Sequence, residues 1–492
     1  MVADPALKAA LPFIILLAWA AVTCFRTPLR FMSVAIPASL HLAAVAVLSA
    51  TVYRGGAIRF VSGAQWLPAG VTVRIDGLAC VLAIVTALVM SACAAYSLGY
   101  FQLHRRRRSK NLARERFFWP LLAVIWCALM VLWVSGDLLT AYIALELLGL
   151  CAAAMMLLPD RTEAVSAGMR YLFFMLLGSL TYLLGAGMCY AVYGQIDFAG
   201  IAQAVQPSAL HWMAAAFMSA GLMLKAAVFP LHGWLPAAHA HAWSPVSAIH
   251  AALVVKGSFF VLVQIWVSMA PEAAAAAQLV GFAGAAAIFW GGLMALRMQK
   301  IKEIVAYSTI AQLGYLLLVV PLVAGPEADA AAMAWQGAWL HFISHALAKA
   351  AMFLSVGNLM LAMGRADLEG LAGAEGCLPL SLLVFGLAAV TIIGLPVSGG
   401  FTAKWLLLHS AILSGQWHWV VVLSGGTLLG AAYIFRVFNY ALAAGTDVDC
   451  HVPLPVGKEA AAFFLAMAAV LLGVFAGWPL MLIGSGGGAP WP

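Results

Sequence analysis

Apolar runs long enough to cross a bilayer recur along almost the whole of this chain, and they constrain its fold more than any other feature. Of its 492 residues, 65% are hydrophobic and 9% are charged. A run of roughly 18 or more apolar residues is enough for one transmembrane span. Since the backbone has no water to bind inside a bilayer, such runs form helices. The sequence therefore predicts an all-α polytopic membrane protein.

About fourteen such runs are present, with boundaries good to a few residues. The first run is apolar enough for a signal peptide, but further spans follow at once, so we interpret it as a retained helix. The runs lie near residues 7–24, 31–52, 76–100, 117–134, 137–158, 169–193, 212–238, 245–269, 275–296, 303–324, 335–362, 379–413, 418–443 and 459–483.

Lysines and arginines between the runs predict the orientation. They fall on alternate loops, hence on one side, which the positive-inside rule makes cytoplasmic. In a bacterial inner membrane both termini are then periplasmic. We interpret the net charge of +7 as a topology signal, with no role in nucleic-acid binding. The basic residues are Arg26, Arg30, the block from His104 to Lys110, Arg161, Arg297, Lys300, Lys302, Arg365 and Lys458.

The remaining loops leave little room for soluble chemistry. There is no phosphate loop, dinucleotide fingerprint or haem signature, and we expect no redox cofactor and no metal site. The eight cysteines have no C-x-x-C spacing, so we interpret them as small hydrophobic side chains. His239 and His241 are predicted in a cytoplasmic loop. Alternating Val, Ile and Thr in residues 53–75 indicate a small external hairpin.

Five ionisable residues lie inside predicted spans: Glu146, Lys225, Lys256, Lys349 and Lys404. A charge at the centre of a span costs about 2.5–3.5 kcal/mol on insertion scales, so such residues are candidates for function. Burial lowers the pKa of a lysine and a nearby carboxylate raises it again, which allows proton uptake and release. The alternative for each lysine is a static ion pair or a side chain that reaches the interface.

Histidines extend this set. His341, His345 and Lys349 recur at i, i+4 and i+8, which places them on one helical face about 12 Å long. Imidazole titrates near neutrality, so we hypothesise a proton relay, the alternative being core histidines bonded to backbone or water. His232 and His250 are secondary relay candidates.

Two predicted spans carry helix breakers beside a lysine. Pro230 interrupts the seventh span, and Pro396 with Gly399 and Gly400 interrupts the twelfth. Interrupted helices at corresponding places suggest inverted repeats with an ion path between them. We therefore divide the chain into helices 1–3 (residues 1–116), two five-helix repeats (117–269 and 275–443) and a last helix with its tail (444–492).

Several segments together resemble the antiporter-like membrane subunits of respiratory complex I, Mrp antiporters and group 4 membrane-bound hydrogenases. They are LKAAVFPLHGWLPAAHAHAWSPVSA, VVKGSFF, KIKEIVAYSTIAQLGYLLL, HFISHALAKAAMFL and LPVSGGFTAKW, and the similarity covers roughly residues 75–445.

The resemblance implies a fourteen-helix fold with two inverted repeats, each forming a half-channel. It implies a Glu146–Lys225 pair on helices five and seven, a central Lys256 and an exit residue at Lys404, while Lys349 with its histidines matches the helix-eleven motif. Some members carry glutamate where this chain has Lys404. The long lateral helix of the largest complex I subunit is absent from this sequence.

The sequence thus predicts a proton-translocating, antiporter-like subunit of a larger energy-converting membrane complex. Its expected partners are other membrane subunits, including further antiporter-like ones, with energy supplied by a peripheral redox or zinc module. If that complex is a redox enzyme, this chain is a translocase subunit without a redox centre of its own. The alternatives are an Mrp-type Na⁺/H⁺ antiporter subunit and a membrane subunit of an inorganic-carbon uptake complex.

Overall fold

A computed structural model of the chain describes residues 5–27, 30–62, 70–106, 114–159, 161–269, 273–325, 327–443, 454 and 456–484. Within these residues the protein is nearly all helical, and its one sheet is a two-stranded hairpin. Eleven helices are long and apolar enough to cross a membrane, or up to twelve if the bent pair Glu369–Cys377 and Pro379–Ile393 is one span. The predicted polytopic membrane architecture is confirmed.

The first half of the chain contains eleven α-helices and one π-helical turn in the described residues. They are α1 Pro5–Phe25, α2 Met32–Gly55, α3 Gly77–Arg106, α4 Glu115–Trp133, α5 Leu138–Met156, α6 Thr162–Tyr193, α7 Phe198–Ala204, α8 Ala209–Lys225, α9 Leu235–His241, α10 Ser244–Ile249, the π-helix His250–Val254 and α11 Val255–Met269.

The second half is also helical, with one 3₁₀ turn at Glu369–Leu371. Its helices are α12 Ala274–Arg297, α13 Ile301–Leu317, α14 Val319–Val323, α15 Ala328–Met363, α16 Ala374–Cys377, α17 Pro379–Ile393, α18 Gly399–Leu413, α19 Trp417–Ala441, α20 Val456–Leu471 and α21 Gly477–Gly484.

About fourteen spans were predicted and eleven long helices are present in the described residues. The spans that are missing are segments in which the helix is interrupted. The predicted span 212–238 is split into α8 and α9, 379–413 into α17 and α18, and 459–483 into α20 and α21. None of these pieces reaches the length of an uninterrupted span, because chain breaks shorten each helix. The two breaks predicted at Pro230 and Pro396 therefore both lie between helices.

The hairpin predicted in residues 53–75 is present. Strands β1 (Ile58–Ser62) and β2 (Val71–Ile75) are antiparallel, with Phe60 opposite Val73. Strand β2 continues its hydrogen bonding to the loop between α4 and α5, where the Gly136 amide donates to the Thr72 carbonyl at 2.8 Å. Asp137 joins the hairpin to α5, because its carboxylate accepts a hydrogen bond from the Thr72 amide at 2.9 Å and also caps the start of α5. The hairpin thus fixes the start of the helix that carries Glu146.

One interpretation of the cysteines is wrong. Cys377, at the end of α16, is disulfide-bonded and is therefore not a simple hydrophobic side chain. The described cysteines of α3 to α6 are free and mostly buried, as expected from apolar spans.

Helices α6 and α8 pack closely through small residues. A Cβ built on Gly221 of α8 would fall 2.7 Å from the Tyr182 backbone nitrogen of α6, and one built on Gly178 would fall 2.8 Å from the Gly221 carbonyl oxygen. Small residues of this kind let helix backbones approach in membranes. This contact sets the position of Lys225, one turn after Gly221.

We expect Gly221→Ala to lower the free energy of unfolding by about 1–3 kcal/mol, because the added methyl group meets backbone that must move. The measurement is unfolding of the full chain by SDS in mixed micelles. Gly187→Ala is the matched control, since a Cβ there meets nothing within 4 Å. An equal loss in both variants would mean that helix packing is not the cause.

Candidate functional site

The structure brings Glu146 of α5 and Lys225 of α8 into an ion pair. The Lys225 Nζ lies 2.9 Å from Glu146 Oε1. Between them, the Ser179 hydroxyl of α6 accepts from Lys225 and donates to Glu146. The Lys225 side chain is 3% exposed and that of Glu146 is 21% exposed. Three helices therefore hold one buried cation and its counter-charge.

Lys225 is the last residue of α8, and the chain is not helical again until Leu235. In this gap Ala227 has a φ of 54°, a left-handed conformation that is uncommon for a residue with a Cβ. Pro230 lies in the same gap, as predicted. The Trp234 indole donates to the Leu224 carbonyl at 3.1 Å, which satisfies one oxygen left free at the helix end.

Lys256 lies at the centre of the protein and is fully buried. Its Nζ donates to the Ala252 carbonyl at 2.6 Å and lies 3.4 Å from the Ala251 carbonyl, both within the π-helical turn before it. The same nitrogen lies 5.4 Å from the Phe342 ring centroid on α15. A π-turn changes which backbone oxygens are engaged, and such turns are frequent at functional sites.

Lys349 and Lys404 are also held by neutral oxygen atoms. Lys349 Nζ donates to the Val305 carbonyl of α13 at 3.0 Å and to the Ser308 hydroxyl. Lys404 Nζ donates to the carbonyls of Ile392 and Ile393 at 2.9 and 3.1 Å. Those two carbonyls end α17, which is followed by the second break.

The second break resembles the first in its backbone. Val397 follows Pro396 and has a φ of 75°, again left-handed for a residue with a Cβ. The Ser398 hydroxyl then caps α18 by accepting the Phe401 amide at 3.2 Å. Gly400 lies against the Thr391 carbonyl and Gly399 lies against Leu472, so both predicted glycines occur where backbone approaches closely.

His341 and His345 share one face of α15, as their spacing predicts. Their rings stack with centroids 5.8 Å apart. His341 Nε2 is 3.2 Å from the Gln312 carbonyl oxygen, whereas both ring nitrogens of His345 are buried without a hydrogen-bond partner among the described residues. His345 is within electrostatic range of Lys256, Lys349 and Lys404. The two histidines thus lie among the three central lysines.

Three side chains lie between the pair and this centre: Tyr171, which the sequence did not single out, His250, a predicted secondary relay candidate, and His239. Tyr171 of α6 interacts electrostatically with Glu146, and its ring centroid is 5.6 Å from that of His250. His250 in turn lies 6.4 Å from His239. His239 is within electrostatic range of Lys349. Tyr171, His250 and His239 therefore bridge the two groups of charges.

His239 corrects a prediction. It was expected to lie in a surface loop, but it is fully buried and stacks on Phe353 with centroids 4.8 Å apart. The error arose because α9 is a short helix folded back into the protein. Lys302 and Lys458, interpreted as loop residues, are also buried, and Lys458 Nζ lies 4.8 Å from the Tyr96 ring centroid.

His232 lies apart from the other candidates. Its Nε2 accepts a hydrogen bond from the Trp290 indole at 2.9 Å, and its ring stacks on Phe229. Trp290 is 42% exposed, so this contact is close to the outer surface of the helices. In the described residues, no contact joins His232 to a site lysine.

Residues 135–430 match the family described as NADH:quinone oxidoreductase/Mrp antiporter, transmembrane. The chain belongs to this family. The match includes both helix breaks and all five buried ionisable residues. The predicted identity as an antiporter-like membrane subunit of this family is therefore confirmed.

Relatives within the family differ in length. The chain is 32% identical over 463 residues to NADH-quinone oxidoreductase subunit N of Desulforudis audaxviator, covering 93% of this chain and 88% of that one. It is 29% identical over 364 residues to the putative antiporter subunit mnhA2 of Staphylococcus haemolyticus, covering 70% of this chain and 44% of that one. It therefore spans about half the length of the latter relative.

Two solved structures have the same fold. A chain of the Mrp complex from Dietzia sp. DQ12-45-1b matches with a TM-score of 0.85 and 22% identity, covering 100% of this chain and 97% of that one. A chain of respiratory complex I from Thermus thermophilus matches with a TM-score of 0.74 and 24% identity, covering 95% of this chain and 98% of that one. Both matched chains come from multisubunit membrane complexes.

The lysine environments predict opposite effects on stability. Lys256→Met removes a buried ammonium that has no carboxylate partner, so we expect an unfolding free energy that is unchanged or higher by about 1 kcal/mol. Lys225→Met leaves Glu146 without its partner, and we expect a loss of about 2 kcal/mol, less than the 3–5 kcal/mol of a fully buried pair. The unfolding free energy of each variant would be measured by unfolding the detergent-solubilised full chain with SDS. Large losses in both variants would assign Lys256 a structural role instead.

Proposed function

We propose that this chain is a proton-translocating subunit of a multisubunit energy-converting membrane complex. The observation that carries the proposal is a series of titratable side chains running from the partly exposed Glu146 through buried lysines and histidines to Lys404. Such groups are expensive at membrane depth, so a passive scaffold has no use for them. The chain supplies the proton path, and a neighbouring module of the complex supplies the energy.

The Glu146–Lys225 pair acts as the controllable charge. The carboxylate stabilises the protonated lysine, and separating the two destabilises it. Moving a proton against roughly 200 mV requires about 4.6 kcal/mol. Separating this pair changes the free energy by about 2 kcal/mol, because Glu146 is partly exposed and the pair is not fully buried. A small displacement of α5 relative to α8 therefore favours proton release and supplies part of this requirement, and the neighbouring module supplies the rest.

From this pair the path continues inward. Tyr171, His250 and His239 lead to Lys349, and the stacked histidines His341 and His345 lead on among the central lysines to Lys404. Histidine both donates and accepts near neutral pH, which suits a relay. The ring nitrogens of His239, His250 and His345 have no hydrogen-bond partner among the described residues, so water molecules would complete the links.

Two inverted five-helix repeats form part of this proposal. In each repeat the fourth predicted span is broken into two helices. In the first repeat, α8 of the broken span packs against α6 of the third span. In the second repeat, α18 of the broken span packs against α15 of the third span. Each break has a non-glycine residue with a left-handed backbone and a buried lysine beside it. These parallels support two half-channels related by inversion.

The outer face of α5 supports a partner in the membrane. Leu139, Ile143, Leu147 and Leu150 are exposed there, beside the partly exposed Glu146 carboxylate. An ionised carboxylate facing lipid would be costly, so a second membrane subunit that covers this face would shield it. We assign the positively charged loops to the cytoplasm of a bacterial inner membrane, which places both termini in the periplasm.

A second candidate is an Mrp-type subunit that exchanges sodium for protons. The family description includes Mrp antiporters, and a putative antiporter subunit is among the relatives. Proton flux would be measured in vesicles containing the assembled complex, with sodium varied and with no electron donor. Flux that requires sodium favours this candidate, and flux that requires a donor favours the first.

The proposal predicts that Glu146→Gln and Lys225→Ala each reduce coupled proton transport at least tenfold, corresponding to about 1.4 kcal/mol or more in the transport barrier. Both variants should still assemble with the partner subunits, because the pair lies within this chain. Transport would be followed with a pH-sensitive dye in vesicles after the assembly is checked by co-purification.

Arg365→Gln is the control for this experiment. It also removes one member of an ion pair, with Asp367, but at an exposed loop, so transport should be unchanged. Wild-type transport rates in assembled Glu146→Gln and Lys225→Ala vesicles would remove the pair from the path.

A further inference from the structure

A cavity of about 360 Å³ lies outside the proton path, where several helix ends meet. Its wall combines the end of α3, the α5–α6 connection, the α9–α10 connection, the start of α13 and the end of α15. His104, Arg161 and Lys302, which belong to three different predicted basic loops, line it. The volume is at the lower end of ligand-binding cavities, which suits a group the size of a lipid headgroup.

Basic and donor side chains form one side of this cavity. Arg161 is exposed at its mouth, and Lys302 is buried with its Nζ donating to the Ala242 carbonyl at 2.8 Å. The two cations are close enough to repel one another. No carboxylate lines the cavity in the described part of the chain. A negative ion between Arg161 and Lys302 would turn this repulsion into two attractions.

The nearest acidic residues do not neutralise the site. Glu163 and Glu303 act electrostatically on His241, but neither lines the cavity. Glu303 lies 3.6 Å from Lys300, which takes up part of its charge. Burial, and then the charge of Lys300, lower the pKa of His241, so at neutral pH its imidazole is a neutral hydrogen-bond donor.

A second buried lysine lies behind the same wall. Lys458 is fully buried, and its Nζ lies 4.8 and 5.5 Å from the ring centroids of Tyr96 and Tyr100. This ammonium has no hydrogen-bond partner among the described residues. Glu459 beside it accepts a hydrogen bond from Ser381 at 2.8 Å. Lys458 therefore adds to the positive potential behind Tyr100, which lines the cavity.

The opposite side of the cavity is apolar. Pro159, Met360 and Leu361 line it, together with the Trp243 ring. A soluble anion would gain nothing from these side chains, whereas the glycerol and first acyl carbons of a lipid would bury apolar surface against them. Basic pockets between membrane helices on the cytoplasmic side bind lipid headgroups on the same physical grounds.

We propose that this cavity binds the phosphate of an anionic phospholipid headgroup, with Arg161 and Lys302 as the anion ligands. His241 and Ser244 are placed to donate further hydrogen bonds from the same wall. The site does not depend on proton translocation and uses none of the five ionisable residues assigned to it.

The test uses the purified full chain, exchanged from detergent into mixtures of phosphatidylglycerol and phosphatidylcholine and examined by native mass spectrometry. We expect wild type to retain one phosphatidylglycerol in preference to phosphatidylcholine. Arg161→Gln and Lys302→Gln should each weaken this retention about tenfold, equivalent to about 1.4 kcal/mol. Lys300→Gln is the matched control, because it removes the same charge from the same face outside the cavity, and it should retain the lipid.

Equal retention of both lipids, or an equal loss in Lys300→Gln and the two cavity variants, would overturn the site. A parallel arm adds excess inorganic phosphate. If phosphate displaces the lipid and raises the thermal stability of wild type but not of Arg161→Gln, the ligand is free phosphate and the lipid assignment is wrong. Arg161 is exposed, so Arg161→Gln decides the result even if Lys302→Gln does not fold.

Discussion

Buried ammonium groups need oxygen atoms, and in this protein the interrupted helices provide them. Lys404 binds the last two carbonyls of α17, and Lys256 binds carbonyls of the π-turn before it. Carbonyls inside a regular helix already accept one hydrogen bond, so a helix end and a change of pitch offer freer oxygens to Lys404 and Lys256, whereas Lys349 adds a second bond to the Val305 carbonyl within α13. Two of the three central lysines therefore depend on an irregularity in a helix.

The two groups of charges differ in what holds them. Lys225 has a carboxylate partner at 2.9 Å, whereas Lys256, Lys349 and Lys404 have only neutral oxygens and aromatic rings. An ion pair favours the charged lysine strongly, but neutral oxygens favour it weakly, since they can also accept from an uncharged amine. The central lysines are therefore suited to change protonation, and the pair is suited to hold a proton until it is disturbed.

The sequence placed Glu146 and the four site lysines inside helical spans, and the family resemblance implied the Glu146–Lys225 pair, but the sequence did not predict what the central lysines contact. Lysines in apolar runs, prolines beside them and the i, i+4 spacing of His341 and His345 are local patterns, and the structure contains these helices, breaks and stacked rings. Tyr171 and His239 were missed because their roles depend on contacts between α6, α9 and the π-turn, which no spacing along the chain encodes. Lys302 and Lys458 stand at the ends of apolar runs, where loop residues and buried helix residues look alike.

The basic cavity and the proposed proton path are joined by one helix. Lys302 precedes Val305 by three residues on α13, and the Val305 carbonyl and the Ser308 hydroxyl hold Lys349. His239 is within electrostatic range of both lysines. Charges on Lys302 and Lys349 therefore both act on the His239 imidazole, through an interior where electrostatic interactions are weakly screened. An anion bound beside Lys302 would offset the effect of that lysine on His239, so His239 is the residue through which occupation of the cavity would act on the proposed path.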